Sequence, residues 1–439
     1  MLPQVPVNGI LIGTIVNPAG LTLAKVVSAG ATAAFADPGL GASPTWHGFA
    51  IDRTGIAFTD AISVVGDQRL RIDRHAIRLI DEGLAWAPAS FFDQDGNPVA
   101  ACARGSLARV ESRLQEEGLR ALVGHEIEFV LVGPEGQQLP GQLWAQYGLA
   151  GVLEHEGFVR DVMAAMLAAG VAVEQFHPEY GVNQFEMSLA PASPVAAADQ
   201  LVLARLLIGR VARTHGLRVS LSPVPFAGGA GSGAHQHFSL HRGDVPIFSG
   251  GQGPHGLTSE GAAAIGGLVA GLQQALLVFS GSLVSGLRMR PGNWAGAYAC
   301  WGTENREAAV RFMAATHGNP HGANVEIKVC DPSANPYLAS AAILGLALGG
   351  IGHGAALPAE ITVDPDALTA GQRAEAGVVQ LSSRQSDSIA ALEGSTLLRA
   401  ILGDAAVDAL LAVRRYEQRN YCDLTPAELT DRFRMAWSV

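Results

Sequence analysis

The sequence predicts an α+β fold in which antiparallel strands are backed by helices. Four short stretches alternate polar with apolar residues, which is the period of a half-buried strand. These stretches are residues 124–129, 183–187, 234–239 and 325–329. Apolar residues instead recur at intervals of three and four over 154–170, 195–216, 257–280, 336–351 and much of 387–435. That spacing predicts amphipathic helices, which would cover one face of the sheet.

The first hundred residues predict a small sheet domain of their own. Strand-like runs at 10–16 and 48–56 are broken by Gly and Pro. The Gly- and Pro-rich stretch 35–44 predicts a mobile loop, and 83–103 predicts a turn-rich bridge that leads into the first polar strand at Leu122. We therefore expect an N-terminal domain over residues 1–100 and a larger domain over 101–439.

Composition excludes several classes of function. The chain has 439 residues, 48% of them hydrophobic and 16% charged, with a net charge of −11. Without a cluster of Lys and Arg, nucleic acid is an unsuitable partner. Residues 1–16 lack a basic region before their apolar residues, and the run 341–351 is too short to span a bilayer, so we expect no membrane association. Four cysteines without CxxC spacing indicate a reducing, cytoplasmic location.

The acidic strands predict a metal-lined cavity. Glu126 and Glu128 would point to one face about 7 Å apart, a separation that suits two neighbouring ions better than one. Glu179 and Glu186 flank a Gly-containing turn, so a hairpin could bring both to one ion. Each motif alone also fits a solvated strand face or an exposed hairpin. Burying all these carboxylates is unfavourable unless cations neutralise them.

Two further features point to the same cavity. His235 and His237 follow the small-residue run 228–233, whose backbone can approach a ligand closely and offer N–H groups to an anion. Nearly every basic residue is Arg, and the only lysines are Lys25 and Lys328. We expect a specific role for Lys328, because it persists as a lysine in a chain whose other basic residues are nearly all Arg.

Taken together, these motifs resemble the glutamine synthetase family, over residues 100 to 439. The resemblance implies a glutamine synthetase fold, with a β-grasp-like N-terminal domain and a curved antiparallel catalytic sheet backed by helices. The matching motifs are Gly124-x-Glu126-x-Glu128-Phe129, Glu179 with Gln184-x-Glu186, Gly231-Ser232-Gly233-x-His235-x-His237-x-Ser239-Leu240, Arg290-Pro291-Gly292, Asn305-Arg306 with Arg311, and Asp331-x-x-x-Asn335-Pro336-Tyr337-Leu338.

The resemblance implies a role for each motif position. One metal ion would take Glu128, Glu179 and Glu186, and a second Glu126, His235 and Glu326, with two or three Mg²⁺ or Mn²⁺ ions per site. ATP would contact His237, Ser239, Glu174 and Arg311, and the phosphoryl transfer would use Arg306, Arg311 and Lys328. The substrates would contact Gly231, Arg288, Trp294 and Arg306, with Arg290 as an alternative to Arg288.

The implied reaction is an ATP-dependent ligation of glutamate to an amine. ATP converts the γ-carboxylate into γ-glutamyl phosphate, and the amine then displaces phosphate. Family members form homododecamers with active sites at subunit interfaces, so the expected partners are glutamate, a small amine and further copies of the chain.

The amine site departs from the family pattern. Trp294 stands where ammonia-using members carry a glutamate, and the N-terminal Asp-Gly-Ser-Ser segment is missing, with Asp52 or Asp60 as unaligned substitutes. An indole can stack on an organic amine or make a cation–π contact of about 0.5–2 kcal/mol. We therefore expect an organic amine, although Trp294 could also be a structural plug. Lys328 replaces the family's Arg, and Ala230 replaces an Asn, which leaves the acid substrate less defined.

Two other functions stay open at this point. One is a true glutamine synthetase that uses ammonium through residues the motifs do not place. The other is a non-catalytic structural or regulatory homo-oligomer. All six metal-ligand candidates are present, and an unused carboxylate cluster would be mutually repulsive, which argues against the second.

Overall fold

The N-terminal part forms a six-stranded mixed sheet. The computed structural model describes residues 5–6, 8–319 and 322–439. The strand order is β2-β1-β6-β4-β3, with β5 also paired to β6. The central β1 and β6 run parallel, and the other pairs are antiparallel. The strands are β1 Ile10–Val16, β2 Thr22–Ser28, β3 Leu40–Ala42, β4 Gln68–Ile72, β5 Arg78–Asp81 and β6 Leu84–Phe92.

Three local predictions for this region were wrong. The expected loop at 35–44 contains the end of helix α1 (Thr32–Ala36) and strand β3, because the fully buried ring of Phe35 fills the space above Gly13. The expected bridge at 83–103 contains β6, whose residues 85–89 are all buried and therefore show no alternation. The expected strand at 48–56 is a set of turns closed by a single bridge between Phe49 and Ile56.

The larger part is built on a ten-stranded sheet. Its order is β16-β13-β14-β15-β11-β7-β9-β8, with β10 on β7 and β12 on β11. All pairs are antiparallel except β13 with β14. The strands are β7 Leu119–Val132, β8 Val173–Pro178, β9 Gln184–Leu189, β10 Arg218–Ser220, β11 Gln236–Arg242, β12 Val245–Pro246, β13 Tyr298–Thr303, β14 Ala308–Met313, β15 Asn324–Ile327 and β16 Val379–Gln380.

Helices cover this sheet, as the apolar periodicity predicted. The remaining α-helices are α2 Ala103–Glu116, α3 Leu149–Glu154, α4 Glu156–Ala168, α5 Pro194–Thr214, α6 Ser259–Phe279, α7 Ser285–Arg288, α8 Pro336–His353, α9 Ala370–Glu375, α10 Gln385–Glu393, α11 Thr396–Leu402, α12 Asp404–Tyr421 and α13 Pro426–Phe433. Short 3₁₀ helices are Ala29–Ala31, Pro44–Gly48, Arg74–Ala76, Pro254–Gly256 and Pro365–Ala367.

Within the described residues, α6 and α8 are long and apolar enough to cross a membrane by length and composition. The run 341–351 is part of the 18-residue helix α8, so the expectation that it is too short to span a bilayer was wrong by length alone. Both helices are mostly buried, at 67% and 72% of their most apolar windows. They pack closely, since a Cβ on Gly267 would lie 2.6 Å from the Cα of Gly350. Such burial is that of core helices.

The N-terminal sheet has a core of its own around Phe35 and Leu70, and some of its residues also pack into the core of the larger part. Buried residues of the N-terminal part, such as Trp86, pack in the same cluster as Phe129 of β7 and Leu207 of α5. Asn335 joins them at the start of α8, since its carboxamide caps the helix and donates to the carbonyls of Val16 and Asn17. The boundary at residues 100 and 101 stays a prediction.

The order of the strands brings the polar motifs together. Four of them lie on adjacent strands, β9, β7, β11 and β15. Glu128 faces Glu186 across one pair, and His237 faces Glu326 across another. Because residues directly opposite in antiparallel strands point to the same face, the sheet presents these side chains on one surface.

Candidate active site

A cavity of about 610 Å³ opens on this polar face. Most of the residues predicted for the site line it, while Glu174, Ser239 and His237 do not. The predicted residues in its wall are Glu126, Glu128, Glu179, Glu186, Gly231, His235, Arg288, Trp294, Arg306, Arg311, Glu326 and Lys328. Glu174 lies exposed on β8, and Ser239 lies two positions beyond His237 on β11. The roles of these residues remain predictions.

One group of ligand atoms surrounds Glu126. Its two carboxylate oxygens lie 3.0 Å from Nδ1 of His235 and 3.1 Å from Nε2 of His237. His235 Nδ1 also lies 3.4 Å from Oε1 of Glu326. The atoms of Glu126, His237 and Glu326 all fall within 4.8 Å of one another. The structure thus places His237, expected at ATP, beside the three residues expected around the second ion.

Charge pairing is strong within this group. Burial alone would raise the pKa of the Glu126 carboxyl, but hydrogen bonds from His235 and His237 outweigh burial and hold that pKa well below its usual value. Burial lowers the pKa of His237, yet Glu126 more than compensates and raises it to about 9. For Glu326, the attraction of Lys328 and the histidines overcomes burial and lowers the pKa to about 2.

A second group lies at the start of β9 and the end of β8. His177 Nε2 lies 3.1 Å from Glu179 and 3.7 Å from Glu186, and the three can approach one ion. The sequence reasoning gave His177 no role, although it precedes Glu179 by two positions, which is strand spacing. Glu128 lies outside these ligand groups among the described residues, and its Oε2 accepts a 2.9 Å bond from Gln184.

The acidic residues fit a divalent cation. Burial raises the pKa of Glu186 well above its usual value, and repulsion from Glu126, Glu128 and Glu179 raises it further. A cation between these carboxylates would relieve both effects. Oxygen-rich ligands with a histidine suit Mg²⁺ or Mn²⁺.

Cationic side chains border the acidic groups. Arg311 donates to Glu326 at 3.1 Å and to Glu304 at 2.6 Å, and Lys328 Nζ lies 3.1 Å from Glu326. Lys328 is almost fully buried, with 4% of its side chain exposed. Arg306 is exposed and lines the cavity. All three cations line the same cavity as the acidic groups.

Arg288, rather than Arg290, lies in the cavity wall. Its guanidinium is buried and donates to the carbonyl of Lys328 at 3.1 Å, with His235 Nε2 at 3.2 Å. Arg290 is exposed and outside the lining. Gly231 packs directly on Arg288, because a Cβ there would lie 2.9 Å from Arg288 Cγ.

Another part of the cavity wall, next to the second acidic group, is aromatic. The rings of Trp294 and Tyr180 meet edge to face with centroids 4.9 Å apart, and Tyr180 meets Tyr147 at 6.1 Å. Tyr147 stacks on His177 at 5.3 Å. These three rings, which we call the aromatic wall, are each 40–53% exposed. The sequence reasoning found only Trp294, since Tyr147 and Tyr180 stand in turns without a recognisable motif.

The candidate substitutes for the missing ammonium carboxylate differ in their surroundings. Asp52 accepts hydrogen bonds from the hydroxyls of Tyr416 at 2.9 Å and Tyr421 at 2.5 Å, and it caps the backbone of Thr54 and Gly55. It therefore ties the N-terminal part to α12. Asp60 is exposed. Neither lines the cavity of this chain.

Backbone strain concentrates near the cavity. Six non-glycine residues with positive φ occur in the described part of the chain, and Tyr147, Asn183, Trp294 and Glu304 lie at or beside the site. A bulky residue at positive φ costs on the order of 1–3 kcal/mol of conformational strain, and such strained residues cluster at functional sites. Trp294, at φ 51°, is the clearest case.

An antiparallel sheet that gathers acidic, histidine and arginine side chains over one cavity is typical of enzymes that handle metal-bound phosphate groups. The chain belongs to the glutamine synthetase family, and the model of the family's catalytic domain matches residues 100–431. It is thus a carbon–nitrogen ligase, and the predicted family and fold are confirmed.

Individual relatives resemble the chain over most of its length. It is 38% identical over 416 residues to the gamma-glutamylpolyamine synthetase GlnA3 of Streptomyces coelicolor, which covers 93% of this chain and 89% of that protein. It is 31% identical to the glutamine synthetase of Pyrococcus abyssi, over 76% of this chain and 75% of that one. A crystal structure of a glutamine synthase homolog superimposes with a TM-score of 0.87 at 27% identity, over 100% of both chains.

Proposed function

We propose that this enzyme joins the γ-carboxylate of glutamate to an organic amine, at the expense of ATP and through γ-glutamyl phosphate. The aromatic wall is the observation that carries the proposal, because Trp294 stands at the position where ammonia-using members of the family carry a glutamate and packs on Tyr180 in the cavity wall. The name of the Streptomyces relative supports polyamines as the first class to test.

In this proposal the acidic groups hold the divalent ions. Glu126, His235 and Glu326 would bind one ion, and Glu179 and Glu186 would contribute to another with Glu128 or His177. When bound, the ions neutralise charge on the phosphates of ATP. Arg306 and Arg311 donate to the phosphoryl group during its transfer, and Arg288 binds the α-carboxylate of glutamate next to Gly231.

The two steps balance without a further reactant. A γ-carboxylate oxygen of glutamate attacks the terminal phosphorus of ATP, and ADP leaves. The amine nitrogen then attacks the γ-carbonyl carbon, and phosphate leaves as hydrogen phosphate with the proton that the nitrogen loses. Because Lys328 and Arg311 flank the acidic groups, they stabilise the negative charge on the departing phosphate.

In this proposal the aromatic wall favours an organic amine over ammonium. Ammonium is small and strongly hydrated, and an indole returns less free energy than its desolvation costs. An alkyl ammonium adds apolar contact with Trp294 and Tyr180. The wall continues to Tyr147, beside Glu179, so a second ammonium group of a polyamine would meet an aromatic face and a carboxylate.

The test measures phosphate release with ATP, Mg²⁺ and glutamate, scanned over ammonium, methylamine, ethanolamine, isopropylamine, aniline, putrescine and spermine. We expect an organic amine to give a higher kcat/KM than ammonium, with a product mass equal to the γ-glutamyl amide. A clear preference for ammonium would instead make the enzyme an ordinary glutamine synthetase. The absence of turnover with every one of these amines would indicate a non-catalytic role or another acid substrate. A thermal shift with ATP and Mg²⁺ separates these two outcomes.

We also propose a cytoplasmic homododecamer with active sites at subunit interfaces. The support is family membership together with an exposed apolar segment of the N-terminal part, where Phe58, Val64 and Val65 are 59–77% exposed. Analytical ultracentrifugation of the full chain tests it. A sedimenting mass of twelve chains is expected, and a monomer would contradict it.

A further inference from the structure

The loop that carries Trp294, residues 291–296, is held in an unusual backbone conformation. Gly292, Trp294 and Gly296 all have positive φ. Gly296 fixes the far end of the loop by contact, since a Cβ there would lie 2.9 Å from Ala309 Cα and 3.0 Å from Lys328 Cβ. A tryptophan is disfavoured at positive φ, so something must hold the loop at Trp294 as well.

Glu307 supplies that second attachment. The backbone N–H of Trp294 donates a 3.0 Å hydrogen bond to Glu307 Oε1. Glu307 lies where β13 gives way to β14, and only 7% of the residue is exposed. Its own N–H donates to Asn305, whose carboxamide donates to the carbonyl of Ile361 at 2.8 Å. Asn305 therefore holds the backbone of Glu307 in place at the start of strand β14.

The carboxylate of Glu307 has little else to do. Its Oε2 is buried and has no hydrogen-bond partner among the described residues. Burial raises the pKa of this group, and Asp364 and Asp366 raise it further while Lys328 opposes them. Burying an acid with one free oxygen is costly. Among the described residues, the hydrogen bond that this carboxylate accepts comes from the backbone of Trp294. Holding the Trp294 loop is therefore the role that its contacts support.

We propose that Glu307 is a positioning residue that fixes the Trp294 loop and so sets the selectivity for the amine. It acts through the backbone of Trp294 and lies outside the cavity wall, so it does not touch the substrate. The inference rests on the proposed function only for the identity of the amine.

Three substitutions of Glu307 distinguish the position of its carboxylate oxygen from the charge of the carboxylate. Glu307→Gln keeps an oxygen that can accept the Trp294 N–H but removes the charge, whereas Glu307→Asp keeps the charge and withdraws the oxygen by one methylene. Glu307→Ala removes both. The matched control is Glu360→Ala, because Glu360 also accepts a backbone N–H, at 3.0 Å, but from Thr303, which lies outside the cavity wall.

We expect Glu307→Asp and Glu307→Ala to raise the KM for the preferred amine about five-fold or more, with the KM values for ATP and glutamate nearly unchanged. Glu307→Gln and Glu360→Ala should stay within about two-fold of the unaltered chain. If Glu307→Ala fails to fold in a thermal melt, the comparison of the Asp and Gln variants still decides.

Other outcomes would overturn the inference. A loss in the Gln variant with the Asp variant unchanged would mean that Glu307 acts by its charge, and a fall in kcat with every KM unchanged would mean that it acts in the chemical step. Unchanged kinetics in all three variants would mean that the contact is incidental. A chain that prefers ammonium refutes the proposed function alone, since these variants can be measured with ammonium as well.

Discussion

Two parts of the cavity differ in their side chains. We call the acidic group around Glu326 the acidic end and the aromatic wall the aromatic end. At the acidic end, Glu326 lies within 3.4 Å of Lys328, Arg311 and His235. At the aromatic end, Trp294, Tyr180 and Tyr147 present half-exposed rings. The contrast teaches that the acidic end suits a reaction common to the family, while the aromatic end suits the choice of amine.

The largest predicted effect falls on the acidic end. Glu326→Gln removes a charge that pairs with Lys328 and Arg311 and that we assign to a metal ion. We expect kcat to fall at least about 100-fold with every amine, because the same ions serve every substrate. Steady-state phosphate release measures it, with Glu360→Gln as the control. A loss confined to one amine would erase the distinction between the two ends.

At the aromatic end, Tyr180→Ala should act on the amine alone. The ring of Tyr180 packs edge to face on Trp294, so its loss removes one face for the substrate and leaves Trp294 less supported. We expect the KM for an organic amine to rise about five- to ten-fold, at unchanged KM for ATP. Tyr180→Phe keeps the ring and is the matched control. Equal effects on ATP and amine would contradict this assignment.

Lys328→Arg tests the boundary between the two ends. Lys328 contacts Glu326, and its Cβ faces Gly296 of the Trp294 loop. A guanidinium is larger and planar, so in this buried position it should disturb the loop and the acidic group together. We expect changes of about two- to five-fold in the KM for glutamate or the amine. Unchanged kinetics for every substrate would show that the lysine has no special role.

The smallest effect concerns stability. Glu186→Gln replaces a repelled, buried carboxyl by a neutral group of the same shape. We expect the metal-free Tm to stay equal or rise by about 2 °C, and the stabilisation by Mg²⁺ to shrink. Thermal melts with and without Mg²⁺ measure both. An unchanged Mg²⁺ shift would remove Glu186 from the metal site.

The same contrast explains how far the sequence could be read. The acidic end follows from strand spacing, since Glu126, Glu128, Glu186 and His235 sit at alternate positions and adjacent strands align them. The aromatic end depends on turns, and a turn residue such as Tyr147 carries no periodic signal. Its ring reaches the cavity only because residues far apart in the chain fold against one another.

Parts of the fold were missed for related reasons. Strand β6 is buried on both faces over residues 85–89, so it shows no alternation and resembled a turn-rich bridge. The contact of His237 with ATP stays a prediction, while the register of β11 with β15, which the sequence did not reveal, sets His237 opposite Glu326. Glu307 could not be recognised at all, because its role depends on one contact with the backbone of Trp294.

The central claim is that Trp294 selects an organic amine while the acidic end performs a common reaction. The most direct measurement is the ratio of kcat/KM for putrescine to that for ammonium, in the unaltered chain and in Trp294→Glu, with Trp294→Phe as the control. We predict that the Glu variant lowers this ratio at least about ten-fold, and that the Phe variant changes it little. A ratio unchanged by Trp294→Glu would contradict the claim and leave Trp294 as a structural plug.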